Sequence, residues 1–341
     1  MQRSTPLFYF LLFTLVATLF VGVQPVRSQV DPHFSQYYVY PMALNPALTG
    51  AIDGDYRVTA IYRNQWSGIS SAFATPGLSA DFTTGKNLNI GMNVMNQSAA
   101  RGAYNYLNGY VSLAYTGLRF GTNGNHQVAL ALSGGIINRR FNPSKFEYGE
   151  QWNASTGYNP AAPSNDILNA SSASTFDAGA GIAYFDGTPG KKANVFAGVS
   201  AFHLTTPTDP FSASGYDEKL PVRYAAHGGV KLAVADKFSL IPNVIYMRQG
   251  TAQEVMAGAY AQLSANEKTD LLLGANYRLG DAVSPFVGLY YQNMLLGLSY
   301  DVNTSNLGKM AGNASSFEIS LSLFGKKKFT PERHHFICPR L

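Results

Sequence analysis

Residues 315–324 read SSFEISLSLF, and this stretch decides the fold. Phe317, Ile319, Leu321 and Leu323 fall on one side of an extended chain, and Glu318, Ser320 and Ser322 on the other. Strict period-2 alternation marks a strand with one apolar and one polar face. A soluble sandwich also alternates, so the rest of the chain must say what the apolar face meets.

Working back from this strand, the same device recurs. The spacing predicts fourteen strands, at about 56–63, 77–84, 88–97, 104–120, 126–138, 175–185, 193–203, 222–234, 237–248, 253–263, 269–279, 284–291, 294–301 and 315–324. In the first, Tyr56, Val58, Ala60 and Tyr62 oppose Arg57, Thr59 and Arg63. In the eighth, Tyr224, Ala226, Val230 and Leu232 oppose Arg223, His227 and Lys231. In the eleventh, Leu271, Leu273, Ala275 and Tyr277 oppose Asp270, Asn276 and Arg278.

The bulk composition points the same way. Only 13% of the 341 residues are charged, about half the roughly 25% of soluble domains. Glycine (33), tyrosine (21) and phenylalanine (21) are abundant, yet after residue 23 no apolar run is long enough for a spanning helix. A membrane-spanning sheet needs apolar side chains only at alternate positions, and it must close on itself because unpaired backbone groups cost several kcal/mol in hydrocarbon. The expectation is an all-β transmembrane antiparallel barrel over residues 55–324.

Residues 1–28 combine Arg3, an apolar run from Leu7 to Val23, and Val26-Arg27-Ser28 before Gln29, the pattern of an export signal. An uncleaved anchor helix is the rival reading. Residues 29–54 hold Pro32, Pro41 and Pro46 without a clean period, predicting an extended or turn-rich periplasmic or plug arm. Residues 325–341 form a basic periplasmic tail with Lys326, Lys327, Lys328, Arg333 and Arg340. The formal charge of +5 belongs to these ends: without them the body carries eighteen basic and nineteen acidic residues, which gives no support to nucleic-acid binding. Cys338 is the only cysteine, so no internal disulfide framework exists.

The connections supply an independent test. Outer-membrane barrels have short periplasmic turns and longer outer loops. Counting from a periplasmic start, the odd connections include the four longest, 64–76, 139–174, 204–221 and 302–314, and the even ones are short. Length and parity agree. Both termini are then expected in the periplasm.

DPHFSQYYVYPMALNPALTG (31–50) followed by YRVTAIYRNQW (56–66), with GLSYDVNTSNL (297–307), SSFEISLSL (315–323) and the final CPRL (338–341) at the other end, together resemble the opening and closing patterns of the PorP/SprF family of outer-membrane proteins associated with type IX secretion and gliding. The motif positions fall on Phe34, Ser35, Gln36, Tyr37, Asn45 and Pro46, then on Tyr62, Arg63, Asn64, Gln65 and Trp66. The resemblance implies no catalytic residues and no cofactor. It implies, as partners, type IX secretion components and a large secreted adhesin-like cargo protein with a C-terminal sorting domain, with outer-membrane lipid around the barrel.

Each constellation has a plain reading beside a functional one. Arg63-Asn64-Gln65-Trp66 is an interfacial girdle or a contact for the arm or cargo. The lumen charges Arg57, Arg223, His227, Lys231 and Arg278, with Glu254, Asp270 and Glu318, are either packing of a plugged barrel or a selectivity surface. The lysine tail is a solvated end or a dock for an acidic or peptidoglycan-associated component. Loop 139–174, with Tyr148, Trp152 and Tyr158, and loop 204–221 are the candidate cargo-facing surface. His334-His335 with Cys338 is a weak metal hint in the tail. No nucleophile elbow, P-loop or dinucleotide motif is present, so an enzyme is disfavoured. Two further readings stay open: a channel for small solutes, and a structural anchor.

Overall fold

A computed structural model describes residues 31–52, 54–66, 72–142, 145–162, 171–208, 219–266, 268–305 and 315–326. The first five strands are β1 (Tyr56–Gln65), β2 (Phe73–Thr83), β3 (Leu88–Ala99), β4 (Tyr104–Phe120) and β5 (His126–Phe141). A two-residue hairpin follows, β6 (Trp152–Asn153) with β7 (Gly157–Tyr158). The chain continues through β8 (Ser172–Asp186), β9 (Ala193–Phe202), β10 (Arg223–Ala235), β11 (Phe238–Gln249) and β12 (Ala252–Asn266). It closes with β13 (Thr269–Arg278), β14 (Ala282–Tyr291), β15 (Met294–Asn303) and β16 (Ser316–Gly325). With β6 and β7 standing apart, the other fourteen form a closed antiparallel barrel in which successive strands are neighbours and β16 pairs with β1. The fold expected from the alternation is the fold observed.

The wall is inverted relative to a soluble protein. On β16, Phe317, Ile319, Leu321 and Leu323 are 41–44% exposed, while Glu318, Ser320 and Ser322 are at most 2% exposed. The outside is an apolar band made by one face of every strand, and the polar set points into the lumen. Such a surface suits hydrocarbon, where a charge at midplane costs about 2–4 kcal/mol. Among the described residues no helix is long and apolar enough to cross a membrane.

Strand ends differ from the sequence reading by a few residues. β2 begins at Phe73 rather than 77 and runs through Pro76, which pairs with Tyr62 on β1. Pairing with β3 lapses at Thr75 and Pro76, and pairing of β14 with β15 lapses at Ser284 and Pro285. Proline has no N–H to give the ladder, and the wall tolerates the gap by keeping the other edge paired.

One end of the barrel carries the connections that follow β1, β5, β9 and β15, and the other carries short hairpins such as that between Ala235 and Phe238. Tyr56 and Gly325 pair at the short-turn end. The arm is not confined there. Asp55 N–H donates to Gly325 O at that end, whereas Asp31 is held by Gln249, Arg223 and His203, all at the end that carries the long connections. The described residues between 31 and 55 therefore run through the lumen from one end to the other, the course of a plug. Residues 1–30 and 327–341, with the export signal and most of the tail, lie outside the described residues, as does the His334-His335-Cys338 hint.

Candidate functional site

The lumen is filled by the arm. Phe34, Tyr38, Tyr40, Met42 and Leu48 are each at most 3% exposed, packed against wall residues including Ile61, Phe196 and Ile241. The prolines shape its path: Pro41 opens a single helical turn to Leu44, and Pro46 a 3-10 turn to Leu48. At the first position of a helical turn the missing N–H costs nothing and the fixed φ is already correct. Of the extended or turn-rich course that the prolines predict, these two segments take the turns.

Four clamps hold the arm. The first gathers Ser35 and Gln36 with β1, β13, β15 and β16. Glu318 accepts the backbone N–H of Ser35 at 2.6 Å and that of Gln36 at 2.9 Å, one on each carboxylate oxygen. Ser35 Oγ–H donates to Asp301 Oδ2 at 2.9 Å and receives Arg63 Nη1 at 2.7 Å. Arg63 also donates to Glu318, and Arg63 and Arg278 donate to Asp301 Oδ2 at 3.0 and 2.8 Å. Gln36 completes the knot, donating to Ser299 Oγ and accepting from Ser320 Oγ. Two guanidinium groups balance two carboxylates, which is the condition for burying charge without a large penalty.

The second clamp is at the long-connection mouth. His203 lies between Asp177, 2.7 Å from its Nδ1, and Asp31, which meets Nε2. Both ring nitrogens face carboxylates, so both must donate and the ring is an imidazolium. Burial works against that charge, but the Asp31 carboxylate and the two hydrogen bonds outweigh it and raise the pKa to about 9. Burial also opposes the charge on Asp31, yet His203, Arg223 and Gln249 hold it well below the usual carboxylate range. Asp31 further exchanges two hydrogen bonds with Gln249, and Tyr110 and Thr205 donate to Asp177. His203 has φ +60°, a strained backbone for a non-glycine residue.

The third centres on Asn45. Its Nδ2 donates to Ile182 O and Val199 O and meets His227 Nε2 at 3.2 Å, while its Oδ1 accepts Ala47 N–H. Gly181 and Gly198 make this approach possible: a Cβ on either would overlap the Asn45 amide. The fourth is at the short-turn end, where Arg57 makes a bidentate pair with Asp81 at 2.9 and 2.8 Å and Asp81 also accepts Gly50 N–H. Between them, Tyr37 OH donates to Asn243, Tyr40 OH to the carbonyls of Leu78 and Val94, and His33 faces Glu254 at 3.0 Å.

The structure thus brings Phe34, Ser35, Gln36, Tyr37, Asn45 and Pro46 together with Arg63 inside the lumen. Arg57, Arg223, His227, Asp270, Arg278 and Glu318 are buried on the inner face, Asp270 receiving Gln262; Lys231 and Glu254 are half-buried there. Asn64, Gln65 and Trp66 lie apart at the long-connection rim, where the Trp66 ring packs edge-on to Phe73 and its backbone N–H donates to Ser316 Oγ. Asp301 and Asp177 were missed, although both sit at polar positions of their strands and the period could have found them. His203, beyond the end of β9, had no such cue.

Beside Tyr37 the arm leaves a cavity of about 20 Å³, lined by Asn243, Tyr260, Ser284 and Phe286. That is room for a water, not for a solute. Outside, Trp152 is 58% exposed on the β6–β7 hairpin, with Tyr158 5.3 Å from it between ring centres. The surrounding loop is braced by Gln151, which receives Tyr148 N–H and donates to Ala162 O. Among the described residues no cluster of metal-ligating side chains occurs.

Comparison with known proteins gives one sequence relationship. The family model described as type IX secretion system membrane protein PorP/SprF matches residues 26–323. No curated protein matches the chain. Among solved structures it is similar to the monoaromatic hydrocarbon channel CymD (12% identity, 85% of this chain and 94% of that one, TM-score 0.48). It is also similar to the Ralstonia pickettii toluene transporter TbuX (10% identity, 83% and 91%, TM-score 0.47) and the Pseudomonas putida toluene transporter TodX (10%, 83% and 93%, TM-score 0.46).

Proposed function

This chain belongs to the PorP/SprF family of type IX secretion system membrane proteins, and from that premise we propose that it is a closed, non-enzymatic barrel that assists export or surface attachment of a large adhesin-like cargo protein. Family and fold together indicate the outer membrane. The observation that carries the reading is the filled lumen: an arm held to the wall by four clamps, with a cavity beside Tyr37 of only about 20 Å³, the size for a water. A closed barrel acts through its ends. The short turns and Gly325 face the periplasm, and the long connections, with Trp152 and Tyr158, face outward toward cargo carrying a C-terminal sorting domain. Partly exposed aromatics on a braced loop are the residue type that anchors protein interfaces.

The rival reading, a channel for small solutes, requires the arm to leave. Extraction in mild detergent followed by identification of bound proteins, together with conductance of the reconstituted barrel, separates the two. A large secreted protein on a non-conducting barrel is the expected result. Steady conductance with no protein bound would overturn it.

A further inference from the structure

Lysines ring the short-turn end. Lys86 is in the β2–β3 turn, Lys191 and Lys192 in the β8–β9 turn, Lys237 between β10 and β11, Lys268 between β12 and β13, and Lys326 just after β16. All are exposed. The acids at this rim are fewer than the six lysines: Asp186, which pairs with Lys191, Asp236, the buried Asp55 and, by sequence, Asp53 and Glu267. One strand step toward the barrel middle lies a belt of aromatic rings. Tyr56 and Phe82 meet at 6.3 Å between ring centres, Phe120, His126 and Tyr184 stack, and Tyr291 is exposed on β14. Aromatic belts sit at the depth of lipid headgroups, and lysines just beyond them reach the phosphates.

We propose that this rim binds the phosphate headgroups of anionic phospholipids in the surrounding leaflet. Two features favour lipid over an acidic protein. The charges are spread around the circumference, on four of the six short turns and just after β16, whereas a docking protein would engage one sector. The strand ends that flank the turns also present exposed apolar side chains: Leu88 two residues after Lys86, Val195 three after Lys192 and Leu263 five before Lys268. An anionic membrane surface attracts each such lysine, and the contributions accumulate around the ring. That the leaflet is the periplasmic one rests on the orientation proposed above; the preference for an anionic over a zwitterionic phospholipid does not.

The test is native mass spectrometry of the full chain in detergent, titrated with phosphatidylglycerol, phosphatidylcholine or lipopolysaccharide. Wild type should retain phosphatidylglycerol about tenfold better than phosphatidylcholine, and the combined Lys86→Gln, Lys192→Gln, Lys237→Gln and Lys268→Gln variant less than twofold better. Arg140→Gln with Arg248→Gln, at the far end, should leave the preference unchanged. Should the combined variant fail to fold, the wild-type preference must still shrink as salt rises from 50 to 500 mM. Equal retention of both phospholipids, an undiminished preference in the lysine variant, or selective retention of lipopolysaccharide would overturn the proposal. So would lysine-dependent binding of soluble polyglutamate without any lipid preference, which would assign the rim to an acidic protein.

Discussion

Arg63 and Glu318 are direct cross-strand partners on the seam that closes the barrel, and both grip the arm at Ser35. The barrel is therefore shut and plugged by one group of atoms. The seam orders the clamp, and the clamp ties the first and last strands to the segment they enclose.

Replacing Glu318 by Ala should destabilise the barrel by about 3–5 kcal/mol, because it leaves Arg63 undercompensated and two buried arm N–H groups without acceptors. Glu318→Gln should fall between, since the two N–H groups sit on different carboxylate oxygens and an amide keeps an acceptor at only one of those places. Urea unfolding in lipid vesicles measures the difference. Equal stability of Glu318→Ala and wild type would show that the arm is not held there.

The mouth clamp is expected to be pH dependent. His203, in the connection after β9, titrates near 9 when folded against an ordinary value of 6.5. Its stabilisation is thus complete below about pH 6.5 and is lost as pH rises through about 9; at most it is about 3 kcal/mol. Asp31 is shifted downward, so its share is present above the ordinary carboxylate value and is lost only in acid. Thermal midpoints between pH 6 and 10 should fall more for wild type than for His203→Gln. Parallel curves would count against the imidazolium.

Gly181→Val should unseat Asn45, since any Cβ there overlaps its amide. The expected sign is intermittent conductance in planar bilayers from a barrel that is silent as wild type. If the variant folds and stays silent, the third clamp does not keep the lumen closed.

Orientation can be read on intact cells. In a Cys338→Ser background, Ser155→Cys on the β6–β7 hairpin should react with a membrane-impermeant maleimide, and Lys237→Cys should not. The reverse pattern would invert the proposed topology.

Replacing residues 145–162 by a short Gly/Ser turn should lower surface display of cargo while protein abundance stays constant. Unchanged display would remove this loop from the cargo-facing surface.

What could be read from the chain alone was local. Alternation at Phe317–Leu323 identified the strand and its two faces, because successive side chains of any strand point opposite ways. The same rule placed Arg57, Arg278 and Glu318 on the polar side, and the parity of long and short connections followed from strand count. The opening and closing motifs marked Ser35 and Arg63 as worth attention without saying that they touch. Contact required the register across the β1–β16 seam and the course of the arm through the lumen, and both depend on residues more than 200 positions apart. His203 shows the same limit: nothing near it in the chain announces two carboxylates, and only the folded barrel brings Asp31 and Asp177 to opposite sides of one ring. Periodicity is a property of neighbours, whereas charge pairing inside a closed wall is decided by which distant strands the closure sets side by side.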